Sequence, residues 1–302
     1  MNFDVVFLGT GAAVPTELRG TTSQFVSIHG HHYLLDAGEG VQLALRKHRL
    51  PFQKIRGIFI SHMHGDHVLG LPGLLSTMSL LGRTAPLTVW GPPGLEDWLN
   101  QTWRAIVAHF TYDLTVLPWR NEEAMTLCEE ERYALTSFPV KHRIEACGIR
   151  VEERNLPWSL DGAKVREANL PFDIRKQLRQ GMETRWNGST LVPRDWAKPP
   201  KDARSYVFSG DTRPCESLKR HAAGATLLCH DATFMERDSA KAKPTYHSTV
   251  LEACRVAQQV EAKRLGLTHI SSRYRDPAEV QQEASKSFHS VFVASDGLKV
   301  SL

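Results

Sequence analysis

The sequence predicts an α/β fold, and three observations carry that expectation. Short β-rich runs alternate with tight turns and amphipathic helices, polar clusters recur just past the apolar runs, and one long irregular stretch interrupts the pattern in the second half. Asp4–Leu8 is β-rich and ends in Gly-Thr-Gly, while Phe25–Ile28 and Tyr33–Asp36 flank His29-Gly30-His31-His32 as a hairpin. Gly38-Glu39-Gly40 opens a helix from Val41 to about His48, with Val41, Ala44 and Leu45 on one face. Ile55–Ile60 reads as a buried strand that runs directly into Ser61-His62-Met63-His64-Gly65-Asp66-His67. Helical spacing resumes over Leu71–Leu81, with Pro72 in the first turn. Leu87–Trp90, Gly91-Pro92-Pro93 and a helix from Leu95 to about Ala108 repeat the theme. Further on, Ser205–Phe208 and Thr226–Cys229 read as strands, Thr249–Val260 as a helix, and Arg264–Thr268 as the final strand, just before His269.

Composition narrows the function classes. The 302 residues are 41% hydrophobic and 23% charged, an ordinary globular balance with ample length for a core. No apolar run approaches the ~18 residues that span a bilayer. The amino terminus lacks a basic segment and places Asp4 inside its apolar run, so a secretory leader is not expected. The 5 cysteines form no C-x-x-C pair, which suits a reducing cytoplasm and argues against a disulfide framework or a cysteine zinc site. A net charge of +4 permits an anionic partner without demanding one.

The chemistry concentrates in histidine, of which there are 14. His62-x-His64-x-Asp66-His67 gathers three imidazoles and a carboxylate within six residues. A loop leaving a strand can splay alternate side chains toward one point, and this donor set suits zinc, iron or manganese. Gly65 is expected to bend the loop, turning Asp66 and His67 toward the opposite side of the site. Six residues cannot close two metal shells, so other strand ends must contribute. His142 in Pro-Val-Lys-His, Asp211 in Phe-Ser-Gly-Asp-Thr and His269 in Leu-Thr-His-Ile each follow an apolar, strand-like run. Five histidines and two aspartates would bind two metals, with one carboxylate bridging.

These motifs resemble the metallo-β-lactamase superfamily and, within it, the ribonuclease Z family of tRNA 3′-processing endonucleases. The resemblance runs essentially end to end. It rests on Phe7-Leu8-Gly9-Thr10-Gly11, Asp36-Ala37-Gly38-Glu39-Gly40, the histidine motif with Gly70-Leu71-Pro72-Gly73, and Ser209-Gly210-Asp211-Thr212-Arg213-Pro214-Cys215. His230-Asp231-Ala232-Thr233-Phe234, His247-Ser248-Thr249 and Leu267-Thr268-His269-Ile270-Ser271-Ser272-Arg273-Tyr274 complete it. The resemblance implies an αββα sandwich, a dinuclear zinc site (with manganese or iron as alternatives) and a cytoplasmic homodimer. It assigns His62, His64 and His142 to one metal, Asp66, His67 and His269 to the other, and Asp211 to the bridge.

Two such cations would activate a shared water for in-line attack on a phosphodiester, with Asp66 orienting it. His247 is the candidate general acid for the leaving 3′-oxygen, and Asp231 would orient its imidazole. The expected reaction removes the 3′ trailer from precursor tRNA and leaves a 3′-hydroxyl on the tRNA. The competing reading keeps the same site but acts on small or generic RNA phosphodiesters without tRNA selectivity. A flavo-diiron oxidoreductase is disfavoured because His64 stands where a carboxylate would be needed.

The domain reading is a catalytic unit over 1–149 and 205–302, interrupted by a tRNA-binding arm over 150–204. That stretch carries twelve Lys or Arg against eight Asp or Glu, recurrent prolines, and Trp158, Trp186 and Trp196. Arg175, Lys176 and Arg179 are the candidate phosphate contacts. Two departures from the family stand out. Asp231 replaces a usual glutamate, one methylene shorter, and predicts a looser hold on the neighbouring histidine. Phe172-Asp173 replaces the usual Gly-Pro at the arm tip, placing a carboxylate beside the basic residues.

Overall fold

The first half of the chain builds one sheet and the helices that cover it. In the computed structural model, which describes residues 2–302, β1 (Phe3–Gly9) pairs antiparallel with β2 (Ser23–Ile28), and β2 turns into β3 (His31–Leu35). His31 and His32 lie in the strand, not in the turn. The turn is His29-Gly30 alone, with φ of 49° and 85°, the left-handed pair that a two-residue hairpin requires. Helix α1 (Val41–Lys47) leads to β4 (Ile55–Phe59), followed by α2 (Gly65–Val68) and α3 (Leu71–Leu80). Gly65 therefore opens a single helical turn where the sequence predicts a bend. β5 (Leu87–Gly91), α4 (Leu95–Ile106) and β6 (Leu114–Pro118) extend the sheet, and β3, β4, β5 and β6 run parallel.

The second sheet begins as an antiparallel meander of β7 (Met125–Glu129), β8 (Tyr133–Pro139) and β9 (Cys147–Glu153). Arg150–Glu152 pair with both β8 and the next strand of this sheet, so the chain leaves it only after Glu153. The excursion contains β10 (Ser159–Leu160), α5 (Gly162–Glu167), α6 (Phe172–Arg179), β11 (Thr184–Trp186), β12 (Ser189–Leu191), α7 (Pro193–Trp196) and β13 (Ala197–Lys198). Phe172 and Asp173 open α6, where a carboxylate in the first turn favours the helix dipole. Val165, Leu170, Ile174, Leu178 and Leu191 form a small core of their own, with Trp186 and Trp196 packed against it.

Ser205 returns the chain to the sheet as β14 (Ser205–Phe208), followed by α8 (Glu216–Ala222), β15 (Leu227–Asp231), α9 (Ser239–Thr245), α10 (Val250–Gln259) and β16 (Leu265–Thr268). Thr249 closes a capping box with Glu252, which starts α10 at Val250. β16 is not the last strand. After α11 (Pro277–Ser285) come β17 (Val291–Val293) and β18 (Lys299–Ser301), three residues each and too short to show alternation in the sequence. β17 pairs with β16, and β18 crosses back to pair with β1.

The sheets, each of seven strands, stack face to face. Phe3, Val5 and Phe7 share the layer between them with Ile149, Val151 and Phe208. On one outer face α1, α3 and α4 bury Val41, Leu45, Leu75 and Leu99 with Leu34 and Ile58. On the other, α8 and α10 bury Leu218, Val250 and Cys254 with Val207 and Leu228. Each such side chain removed from water contributes about 1.5–3 kcal/mol. The result is the αββα layering, and all five cysteines are free.

Candidate metal centre and active site

The polar residues converge because the strands that carry them end on one side of the sandwich, where open α/β sheets place their sites. Asp36 follows β3, Ser61 and His62 follow β4, and Asp211 follows β14. Asp231 ends β15, and His269 follows β16. Asp36 and His269 hold φ of 57° and 59°, a left-handed backbone that costs non-glycine residues on the order of 1–3 kcal/mol. Close backbone approach locks the histidine loop onto the Asp36 loop: the Ala37 N–H donates to His67 O at 2.8 Å and the Gly70 N–H to Ala37 O at 2.8 Å. A Cβ on Gly70 would lie 2.1 Å from Gly38 O, so that position requires glycine.

Two donor sets meet at Asp211. His62 Nε2 lies 2.9 Å and His142 Nε2 3.2 Å from His64 Nδ1. These three residues and Asp211 present ligand atoms all within 4.8 Å of one another, as do Asp66, His67 and His269. Asp211 Oδ2 is 3.6 Å from His62 Nε2 and 3.3 Å from both His67 Nε2 and His269 Nε2. Asp66 Oδ2 lies 3.2 Å from His269 Nε2 and accepts the Ala13 N–H at 2.9 Å.

In four of the five imidazoles the second nitrogen is committed elsewhere. His62 Nδ1 faces Ser61 Oγ, His142 Nδ1 faces Tyr246 O, and His67 Nδ1 faces Asp36 Oδ2 at 2.7 Å. His269 Nδ1 faces Thr233 Oγ1 at 2.8 Å. Such outer partners fix the ring orientation of metal ligands.

The donor set fits divalent cations. His67 Nε2 is buried and makes no hydrogen bond. Burial drives the His62 imidazole well below its ordinary value and takes His142 down to about 4, leaving neutral rings with lone pairs to give. Burial alone would raise the Asp66 carboxyl, but the hydrogen bond with His269 and the neighbouring His67 imidazole hold it far below the usual range. Burial likewise opposes a charge on His67, yet Asp211 and Asp36 hold its imidazole well above the ordinary value. That buried concentration of carboxylate charge is what a cation neutralises.

Beside these sets stands His247, whose Nδ1 lies 2.9 Å from Asp231 Oδ2. Asp231 Oδ2 also accepts the Thr212 N–H at 3.0 Å, while Oδ1 accepts the Thr233 N–H at 2.9 Å and the Thr233 hydroxyl at 2.7 Å. With both oxygens engaged, Asp231 is a positioning residue for His247. From the end of β15 the aspartate reaches the imidazole directly. Burial would depress His247, but the Asp231 carboxylate overrides it and pushes the imidazole up to about 9. His64, Asp66, Asp211, His247 and His269 line a cavity of about 350 Å³, with Arg143 at its rim.

Known proteins match this chain at full length. "Ribonuclease Z" of Bacillus licheniformis is 38% identical over 300 residues, covering 97% of each chain, and that of Porphyromonas gingivalis is 36% identical over 99% of each. The chain belongs to the ribonuclease Z family. Among solved structures, the short form of human tRNase Z superposes with a TM-score of 0.71 at 28% identity over 98% of each chain. The metallo-β-lactamase fold protein YhfI from Bacillus subtilis gives 0.71 at 17% identity, a likeness of fold alone. The family model described as "Anti-Pycsar protein Apyc1" matches residues 3–128, under half of the chain.

In this ribonuclease Z family member, Arg175, Lys176 and Arg179 lie exposed on α6, away from the seven acidic and imidazole residues around Asp211. Sequence reasoning missed the outer partners Asp36, Thr233 and Ser61 as site residues. The first two sit inside motifs already conspicuous in the sequence, Asp36-Ala37-Gly38 and His230-Asp231-Ala232-Thr233, but their partners are distant along the chain.

Proposed function

We propose that this protein is the endoribonuclease that removes the 3′ trailer from precursor tRNA, using two divalent cations, most simply zinc, with manganese or iron as substitutes. The single observation that carries this reading is the meeting of both donor sets at Asp211 beside a histidine held by Asp231, in a chain of the ribonuclease Z family. Cations in that site supply Lewis acidity and a water acidic enough to attack a phosphodiester at neutral pH. His62, His64, His142 and Asp211 would hold one, Asp66, His67, His269 and Asp211 the other.

Asp66 Oδ2, fixed by the Ala13 amide, would accept a hydrogen bond from the attacking water and keep it oriented toward phosphorus, the proton that this water loses passing to solvent. As the new P–O bond forms, the P–O3′ bond breaks and its electron pair goes to O3′. His247, anchored through Nδ1, presents Nε2 and delivers its proton there, so the tRNA side leaves with a 3′-hydroxyl and the trailer keeps the 5′-phosphate. The arm between β9 and β14 grips the folded tRNA at a distance through Arg175, Lys176 and Arg179. The enzyme works in the cytoplasm as a homodimer.

The deciding experiment is to incubate the purified, metal-loaded protein with a precursor tRNA and map the cut at nucleotide resolution. A single cut at the junction of tRNA and trailer, with a 3′-hydroxyl on the upstream product, is expected. Hydrolysis of small phosphodiesters at comparable efficiency, with random cuts in RNA, would instead mark the enzyme as a general phosphodiesterase.

A further inference from the structure

A second cavity, of about 710 Å³, lies beside the loops that carry His142 and His247, whose chain neighbours Lys141 and Tyr246 line it. Lys141, Arg213, Lys219, Lys243 and Arg255 line it, against Glu252 alone among acidic residues. Arg213 is built in: it makes a two-pronged pair with Glu252 and donates to the His247 carbonyl at 2.7 Å. Lys219 pairs with Glu216 at 2.8 Å. Lys141, Lys243 and Arg255 are exposed, and among the described residues none of them forms an ion pair. The loop that supplies His142 thus sends its two cationic neighbours to different places, Lys141 to this basic cavity and Arg143 to the rim of the smaller one.

We infer that this cavity binds the RNA strand immediately upstream of the cut through its phosphates, with Lys141, Lys243 and Arg255 as the phosphate-binding residues. The inference rests on the proposed RNA cleavage. In-line displacement places the leaving O3′ opposite the attacking water, hence toward His247. O3′ belongs to the upstream nucleotide, which must continue beyond His247, where Tyr246 and the three unpaired cations line the wall. A second cation-lined space on that side, joined to His247 through Arg213, is what a polyanionic strand leaving the site requires.

The test is the triple variant Lys141→Ala, Lys243→Ala, Arg255→Ala on metal-loaded enzyme. It is compared with wild type on precursor tRNA carrying neutral methylphosphonate linkages at two positions either upstream or downstream of the cut. On the natural substrate the variant should bind at least tenfold more weakly at low salt, with a salt slope reduced by about two. Hydrolysis of a nitrophenyl phosphodiester and the unfolding temperature should match wild type, which separates weakened phosphate binding from a damaged fold. Upstream neutralisation should weaken wild type and leave the variant nearly unaffected, whereas downstream neutralisation should weaken both alike. An unchanged affinity and slope, or a variant made insensitive by downstream neutralisation instead, overturns the inference while leaving the cleavage reading intact. Wild type that fails to cut any precursor tRNA removes both.

Discussion

Asp231 accepts four hydrogen bonds with two oxygens, and one of the donors, the Thr233 hydroxyl, also faces His269. A single carboxylate therefore positions His247 directly and a metal-site imidazole through Thr233. In the proposed mechanism His247 acts only on the leaving oxygen, so His247→Ala should fold and keep its metal while turnover on RNA falls by roughly 10²–10⁴. A nitrophenyl diester, whose leaving group needs no proton, should lose far less; equal losses in single-turnover assays would make His247 a structural residue. Asp211 differs in kind, since it belongs to one donor set and lies 3.3 Å from both imidazoles of the other. Elemental analysis of Asp211→Ala should show the loss of at least one of two metal equivalents per chain, and full occupancy would remove Asp211 from the bridge.

At the scale of elements, the junction between β9, β14 and the arm hangs on one carboxylate. Glu153, buried at the end of β9, takes Arg204 at both oxygens, 2.6 Å and 2.9 Å, and His29 Nε2 at 2.9 Å. Arg204 also donates to the Leu302 carbonyl, so the chain end is tied to the same point. Burial alone would raise the Glu153 carboxyl, but hydrogen bonds from Arg204 hold it below the ordinary value of 4.5. A carboxylate held low in the folded state stabilises above its unfolded value and loses that contribution as the pH falls through its folded one. Glu153→Gln should therefore cost on the order of 3 kcal/mol at neutral pH. The gap from wild type should narrow on acidification below 4.5, as read by denaturant titration. A gap independent of pH would show that packing, not charge, joins the arm to the sheet.

Across the whole molecule, charge is distributed by task. Asp36, Asp211 and Asp231 are buried at the site, while from Ile174 to Arg204 eight basic residues stand against three acidic ones. Trp186 and Trp196 pack against the small core between β9 and β14, and in the proposed function the exposed cations there meet phosphate. Arg175, Lys176 and Arg179 replaced together by alanine should weaken precursor-tRNA binding and flatten its salt dependence by about one log unit for each phosphate they hold. Hydrolysis of a small diester should not change, because α6 lies outside the metal centre. Identical affinity and slope in the triple variant would reduce the three residues to a solvated helical face.

The sequence by itself determined the α/β class, most of the parallel strands and helices, and the seven acidic and imidazole residues that converge. Local signals suffice for these: period-2 and 3.6-residue patterns, turn residues at the ends of elements, and donor groups dense enough to be improbable otherwise. The tertiary structure alone decided how Asp36 and Thr233 aim their histidines, that β18 closes against β1, that Trp186 and Trp196 pack against the arm's own core, and that Glu153 and Arg204 join across fifty residues of arm. Each depends on partners remote in sequence. Pairing between remote segments is selected by the packing of whole layers, which no local periodicity encodes.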